Sequence, residues 1–358
     1  MVKDAVPLAS IARVLVVKLR HLGDVLLAAP VLSVLKARAP GAEIDALVYD
    51  DTAPMLRRHP ALAQLHTVGR RWRKASIPAR LRAEWALYAA LAARRYDLLV
   101  HLSGHWRGAW LSRLLAPAYA VAPIVPGRSA LWARSFTHLF PVVGGGRRHQ
   151  VELNLDALRR IGIQPQPEER RVRFLPGPDA ERRVEALLAE HGLERGAFVH
   201  MHPASRWRFK CWPAKQNAEL VLRLAAEGHR VVLTSAPENT ETAFVGEIAA
   251  LAEGRAVNLA GRLTIEELGA LVARARLFIG VDSMPMHLAS AMGTPTVALF
   301  GPSGEHEWGP WMTAHRVVTS AHTCRPCGYD GCGAGKASEC LTAIPVETVH
   351  AAVRSLLR

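Results

Sequence analysis

The sequence predicts an α/β protein of two domains, each built on a parallel sheet, and three observations carry that prediction. Short apolar runs such as Ile11–Val17, Phe198–Met201 and Leu277–Val281 alternate with longer segments of helical spacing, the pattern of strands buried on both faces by helices. The stretch Leu277–Gly304 is a complete β-α-β unit. Its apolar run ends at Asp282, Ser283 opens a helix that Gly293 stops, and Thr296–Phe300 returns to the sheet. The texture then breaks once, where Gln164-Pro165-Gln166-Pro167 and Pro176-Gly177-Pro178 bracket a short predicted strand, Arg171–Leu175. A linker of this composition, about 164–178, divides the chain into domains 1–170 and 171–358. With 358 residues, 50% of them apolar, two cores are within reach.

In the first domain, strand Ile11–Val17 runs into Lys18-Leu19-Arg20-His21-Leu22-Gly23-Asp24 and a helix from Val25 to Arg38. Asp24 at that entrance reads either as a helix N-cap or as a carboxylate placed for general-base work at the mouth of the first strand–helix loop. Strands Glu43–Val48 and Leu65–Val68 follow, separated by a short helix to His59. Next comes Arg70-Arg71-Trp72-Arg73-Lys74, the densest basic cluster in the chain. Such a run is a solvated surface or a grip for phosphate and carboxylate groups. A helix Ala79–Arg94 leads to strand Tyr96–Leu102, flanked by His101 and His105, and a further helix opens at Arg107. Arg128 and Arg134 lie in an irregular stretch ending at Gly144-Gly145-Gly146, a loop rather than a dinucleotide fingerprint, because strand and G-x-G-x-x-G spacing are both missing. A helix Val151–Ile161 closes the domain.

The second domain opens with helix Ala180–His191 and strand Phe198–Met201. The loop after that strand, His202–Pro213, carries Ser205, Arg206, Arg208 and Lys210, a hydroxyl and cations suited to a diphosphate. Strand Arg230–Thr234 delivers Glu238, a carboxylate able to accept from ribose hydroxyls. After a short strand Val257–Leu259, Thr264 and Glu267 form a capping box for the helix to Ala275. The β-α-β unit then brings Asp282 and a helix N-terminus to the carboxyl edge of the sheet, where open α/β folds bind ligands and where phosphate is the natural guest. Pro345 sets off a final helix.

The formal net charge is +14, and all of it sits in the first half. Residues 1–150 hold 22 Lys and Arg against 8 Asp and Glu, leaving 23 against 23 for the rest. That asymmetry fits either an anionic partner on the first domain or plain solubility. Nucleic acid as the partner is disfavoured, since the cations lack interleaved stacking aromatics and match no standard module. No apolar run reaches the roughly 18 residues of a membrane span, and the first apolar run is too short and too soon charged for a signal peptide. Five cysteines without an export signal point to the cytoplasm. Four of them, Cys324, Cys327, Cys332 and Cys340, stand close together. That spacing suggests a structural zinc or iron–sulfur loop, although it matches no standard ligand pattern, and metal-free loop cysteines are the alternative.

Three segments, VVKLRHLGDVLLAAPVLSVLK, HPASRWRFKCWP and FIGVDSMPMHLASAMGTPTVALFGP, resemble the ADP-heptose-dependent heptosyltransferases of lipopolysaccharide inner-core synthesis, glycosyltransferase family 9. The FKCWP run and the CRPCGYDGCG tail look most like the family's third type. The resemblance implies a GT-B architecture, two Rossmann-like domains facing across a cleft, with acceptor on the first and ADP-sugar on the second. It implies inverting transfer with no cofactor, on a lipid A–core acceptor, by a cytoplasmic enzyme peripheral at the inner membrane. Asp24 then stands at the catalytic base. Ser205, Lys210, Glu238, Leu263, Asp282, Ser283, Met284 and His287 stand on the donor side, with Ser283-Met284 where relatives often carry Thr-Gly. Arg70, Arg73, Lys74, Arg128 and Arg134 stand on the acceptor side. The final helix, 345–358, is placed back against the first domain. The alternatives are a glycosyltransferase of the same fold with another donor or acceptor, and a non-enzymatic protein that binds anions or nucleic acid.

Overall fold

A computed structural model describes residues 4–70, 72, 76–335 and 337–358, and the chain divides into two compact units, 1–173 and 174–358. In the first unit, strands β1 (Arg13–Val17), β2 (Glu43–Tyr49), β3 (Gln64–Val68), β4 (Leu98–His101), β5 (Tyr119–Pro123) and β6 (His138–Phe140) form one parallel sheet. Their order is β3-β2-β1-β4-β5-β6. Helices α1 (Leu22–Leu26), α2 (Ala29–Arg38), α3 (Ile77–Arg94), α4 (Trp106–Leu115), α5 (Ala130–Ala133) and α6 (Gln150–Arg160) connect or flank the strands. Residues Val14–Val17 and all of β4 are buried, as central strands covered on both faces must be.

The second unit repeats the plan. Strands β7 (Phe198–His202), β8 (Arg230–Leu233), β9 (Ala256–Asn258), β10 (Leu277–Val281), β11 (Thr296–Leu299) and β12 (His315–Val318) pair in parallel in the order β12-β11-β10-β7-β8-β9. Its helices are α7 (Pro178–Glu190), α8 (Ala214–Ala226), α9 (Asn239–Leu251), α10 (Ile265–Val272), α11 (Met284–Met292), α12 (Glu305–Trp308), α13 (Glu339–Thr342) and α14 (Val346–Leu357). In both sheets the strand order reverses beside the first strand, between β1 and β4 and between β7 and β10. Loops leaving the carboxyl ends diverge there in opposite directions, which opens a crevice at that point of each sheet.

Several expectations are corrected. The single helix after β1 is two: α1 ends at Leu26, and α2 starts afresh with Pro30 in its first turn, where the missing N–H costs nothing. The irregular stretch around Arg128 contains β5 and β6, short strands whose local pattern is weak and whose existence rests on the ladder with β4. Strand β12 and helix α9 were likewise not anticipated, and Arg171–Leu175 is extended chain without a ladder. The final helix, 345–358, belongs to the second unit. Its apolar stripe, Val346, Val349, Val353 and Leu357, is consumed in the core of the second unit with β10, β11 and α8. The capping box is formed: Thr264 Oγ1 accepts from Glu267 N at 3.2 Å, and the Glu267 carboxylate accepts from Thr264 N at 2.8 Å. Among the described residues, no helix is long and apolar enough to cross a membrane.

Candidate active site

The switch point of the second unit gathers most of the residues placed on the donor side. β7 ends at His202, whose ring shares a 2.8 Å hydrogen bond with Thr234 Oγ1, and burial holds its pKa down at about 3. The loop beyond is pinned at its far end by buried Trp212, whose indole N–H donates to the Ile344 carbonyl at 3.1 Å. Between these anchors a 3-10 turn, Arg208–Lys210, presents Lys210 toward β10. Lys210 Nζ meets Asp282 Oδ2 at 2.5 Å, and both side chains are largely buried. Arg208 lies over the Phe244 ring at 3.9 Å and Lys210 over Trp207 at 5.2 Å, so aromatic faces hold both cations in the loop. Ser205 is buried and its Oγ accepts from Trp207 N at 3.4 Å.

The close pairing of β10 with β7 depends on Gly280. A Cβ there would lie 2.6 Å from the Phe278 ring and 3.2 Å from the His202 carbonyl. The next strand position but one, Asp282, is thereby held beside the Lys210 loop. Ser283 occupies the N-cap of α11, but its hydroxyl turns back to donate to the Val281 carbonyl at 3.4 Å and does not cap the helix. Pro285 has no N–H and Met286 N donates to the Ser283 carbonyl at 3.1 Å, so the Met284 N–H and the positive end of the helix dipole are what this terminus offers an anion. Met284 is half-buried in the first turn, and His287 is buried one turn on, its ring 6.4 Å from that of Trp308. Gly293, at φ 75°, ends the helix in the left-handed conformation.

Two donor-side expectations change in detail. Glu238 is the N-cap residue of α9 and is exposed. The buried acid of this loop is Glu241, in the first turn of the same helix. Burial raises its carboxyl pKa, opposed by the Ala236 N–H and reinforced by the charge of Glu238. Glu241 stands three residues after Glu238, within the first turn of α9, and that spacing is its signal in the sequence. Leu263 directly precedes the capping Thr264 and packs, partly buried, against the core with Ala270 and Leu271.

In the first unit, Asp24 sits in the first turn of α1, and His21 occupies the N-cap, so the capping reading of Asp24 is excluded. Its mostly buried carboxylate lies 3.7 Å from Arg20 Nε. Lys18, at the end of β1, is a residue that sequence reading did not single out. It is buried, and its Nζ donates to the Leu102 carbonyl at 3.2 Å and to Asn154 Oδ1 at 2.9 Å. Burial lowers its pKa to about 8, against the opposing pull of the Asp24 charge. Asp24 and Lys18 thus share the switch point between β1 and β4.

The acceptor-side cations separate. Arg70 braces the loops: it pairs with Asp51 at 2.7 Å, donates to the Arg20 carbonyl at 2.9 Å and covers the Tyr49 ring at 4.0 Å. Arg128 donates to the Gly104 carbonyl at 2.6 Å, and Arg134 is the exposed C-cap residue of α5. Arg73 and Lys74 lie outside the described residues. The flanking histidines are structural. His101 is buried and stacked on Phe136 at 5.8 Å, with its pKa pushed down to about 3 by burial, and His105 caps α4 by accepting from Arg107 N.

The expected metal loop is not assembled. Among the described residues no three His, Cys, Asp or Glu side chains are grouped to hold a metal ion. Cys340 is buried beneath Gly301, while Cys324 and Cys332 are exposed and Cys327 is half-buried. Burial raises the Cys340 thiol pKa, with the other three thiols adding to the rise and Arg325 opposing it.

Residues 84–337 match the profile of glycosyltransferase family 9 (heptosyltransferase), a span that takes in most of both units. The chain is also 38% identical over 295 residues to lipopolysaccharide heptosyltransferase 3 of Escherichia coli, covering 82% of this chain and 84% of that one. The chain belongs to glycosyltransferase family 9. It is a glycosyltransferase, and the fold agrees. A family 9 glycosyltransferase from Veillonella parvula superposes with a TM-score of 0.84 at 21% identity, over 99% of each chain. The E. coli heptosyltransferase WaaC, solved with ADP-2-deoxy-2-fluoro heptose, gives 0.73 at 23% identity, over 96% of this chain and 99% of that one. Two six-stranded parallel sheets of this order are the GT-B architecture of these heptosyltransferases.

Proposed function

We propose that this family 9 enzyme moves L-glycero-D-manno-heptose from ADP-heptose to a heptose of the lipopolysaccharide inner core, with inversion at the anomeric carbon. The observation that carries the reading is the 38% identity to a lipopolysaccharide heptosyltransferase, taken together with the Lys210–Asp282 pair and the uncapped α11 at one switch point. In this reading the second unit binds the donor. Lys210 and the start of α11 receive the diphosphate, Ser205 hydrogen-bonds to it, and the Glu238–Glu241 turn faces the ribose. Asp282, a carboxylate already held by Lys210, orients the sugar hydroxyls.

Asp24 is the general base. It takes the proton from the acceptor hydroxyl as that oxygen forms its bond to the anomeric carbon. The bond to the diphosphate breaks with its electron pair going to the departing ADP, whose growing charge is met by Lys210 and the positive N-terminus of α11. The first unit carries the acceptor, its positive balance suited to the phosphates of a lipid A–core oligosaccharide at the inner face of the cytoplasmic membrane. Turnover of ADP-heptose with truncated core acceptors, with the product linkage read by mass spectrometry and NMR, tests the reading. A product that retains the donor's anomeric configuration, no turnover of ADP-heptose, or turnover with a different nucleotide sugar only, would overturn it.

A further inference from the structure

Helix α3 is the anomaly of the first unit. It runs eighteen residues and is dominated by Ala, Leu, Ile, Trp and Tyr, yet Leu91 is its one buried residue. Ile77, Leu81 and Trp85 repeat every four residues and therefore share a face, and they are 75%, 64% and 70% exposed. Helix α4 continues the surface, with Trp110 53% and Leu114 57% exposed. The two helices flank a groove of about 670 Å³ lined by Leu81, Trp85, Tyr88, Trp106, Trp110 and Leu114. The groove is held in shape by a fork between Arg107 and Glu84, at 2.5 and 2.6 Å, that ties α4 to α3. Apolar surface on this scale marks an interaction site.

The charge around the groove selects the occupant. Glu84 is the one acid on α3, and it is consumed by Arg107, whereas Arg80 and Arg82 are exposed on the same helix. Residues 1–150 carry the whole positive excess of the chain, 22 basic residues against 8 acidic. A protein interface of this kind carries a rim of mixed polarity around its apolar centre. Exposed Trp and Leu beside cations of one sign instead match the boundary between lipid headgroups and acyl chains, where indole rings lodge and Arg meets anionic phosphates.

We propose that the α3–α4 face docks the enzyme on an anionic phospholipid bilayer, with Leu81, Trp85 and Trp110 entering the interface and Arg80 and Arg82 pairing with lipid phosphates. The inference rests on the proposed function for its purpose, since it names the surface that brings the enzyme to a lipid-anchored acceptor. The test reads the two separately.

Flotation of the full-length enzyme with vesicles of phosphatidylcholine, alone or mixed with phosphatidylglycerol and free of lipid A, measures docking directly. The wild type is expected to float with the anionic vesicles, to release with salt, and to show tryptophan quenching by brominated acyl chains. L81S/W85S/W110S should lower partitioning at least tenfold, and R80A/R82A about 25-fold, at roughly fivefold per cation. Both variants should keep the wild-type melting temperature and turnover on a soluble, delipidated acceptor, because every altered side chain is exposed. The proposal is overturned if the triple variant floats like the wild type or if neutral and anionic vesicles bind equally. It is also overturned if binding appears only when lipid A is included, or if sedimentation shows a wild-type dimer that the triple variant abolishes. Loss of wild-type turnover with ADP-heptose would instead refute the proposed function and leave the docking result standing.

Discussion

Replacing Lys18 with Met probes the chemistry beside Asp24, and its size follows from burial. Lys18 is enclosed at the end of β1 with two neutral oxygen partners, the Leu102 carbonyl and Asn154 Oδ1, and its pKa falls from 10.5 to about 8. In the unfolded chain the amine holds its proton up to the higher value, so between these limits the unfolded state binds more protons. Stability therefore rises with pH across that window. Below pH 8 the cost of burying the charge is present in full, and above 10.5 it is gone, a span of about 3 kcal/mol. Urea titrations at pH 7, 8, 9 and 10 on wild type and Lys18→Met isolate the effect as a difference curve. Wild type should gain on the variant by about 1.4 kcal/mol per pH unit in the middle of the window. A flat difference curve would refute the reasoning, because it would mean that the buried amine is already neutral at pH 7 or is well solvated. The same variant withdraws the cation facing Asp24, so its turnover should shift in pH dependence while ADP calorimetry stays unchanged.

Asp24→Asn should bind ADP normally in calorimetry and lose turnover by about 10²- to 10⁴-fold, the scale of a general base; wild-type turnover would remove Asp24 from the mechanism. Lys210→Met leaves Asp282 buried without its 2.5 Å partner and should cost about 3 kcal/mol of stability in chemical denaturation. Adding Asp282→Asn should restore most of that stability but not ADP affinity, whereas recovery of both would mean that the pair is purely structural. Acid should destabilise the fold early: His59, His101 and His202 are buried neutral, with pKa values of about 4, 3 and 3, against 6.5 unfolded. As pH falls below 6.5 the unfolded state binds the extra protons, at about 1.4 kcal/mol per pH unit for each histidine. His101→Gln should reduce the acid slope by one such increment, read from melting temperatures between pH 6.5 and 4.5.

Local chemistry was enough to read a large part of this protein from its residues. The apolar runs of β1, β7 and β10, the stop at Gly293 and the Thr264–Glu267 capping box are dictated by neighbours within a few positions, so they are legible without a fold. The motif residues Lys210 and Asp282 were legible as polar groups at strand ends. That they meet at 2.5 Å was not, because 72 residues separate them and only the β7–β10 pairing brings them together. Tertiary structure alone decided that Asp24 is not a cap, that Glu241 is buried while Glu238 is exposed, and that the four loop cysteines form no ligand set. It also decided where the last helix packs and that β5 and β6 are strands, since three- to five-residue segments acquire strand identity from a partner's ladder. Lys18 makes the distinction plainest. In the sequence it is a cation ending an apolar run; enclosed by Leu102 and Asn154, it becomes a titrating group beside Asp24, because burial, which no local pattern records, sets the cost of its charge.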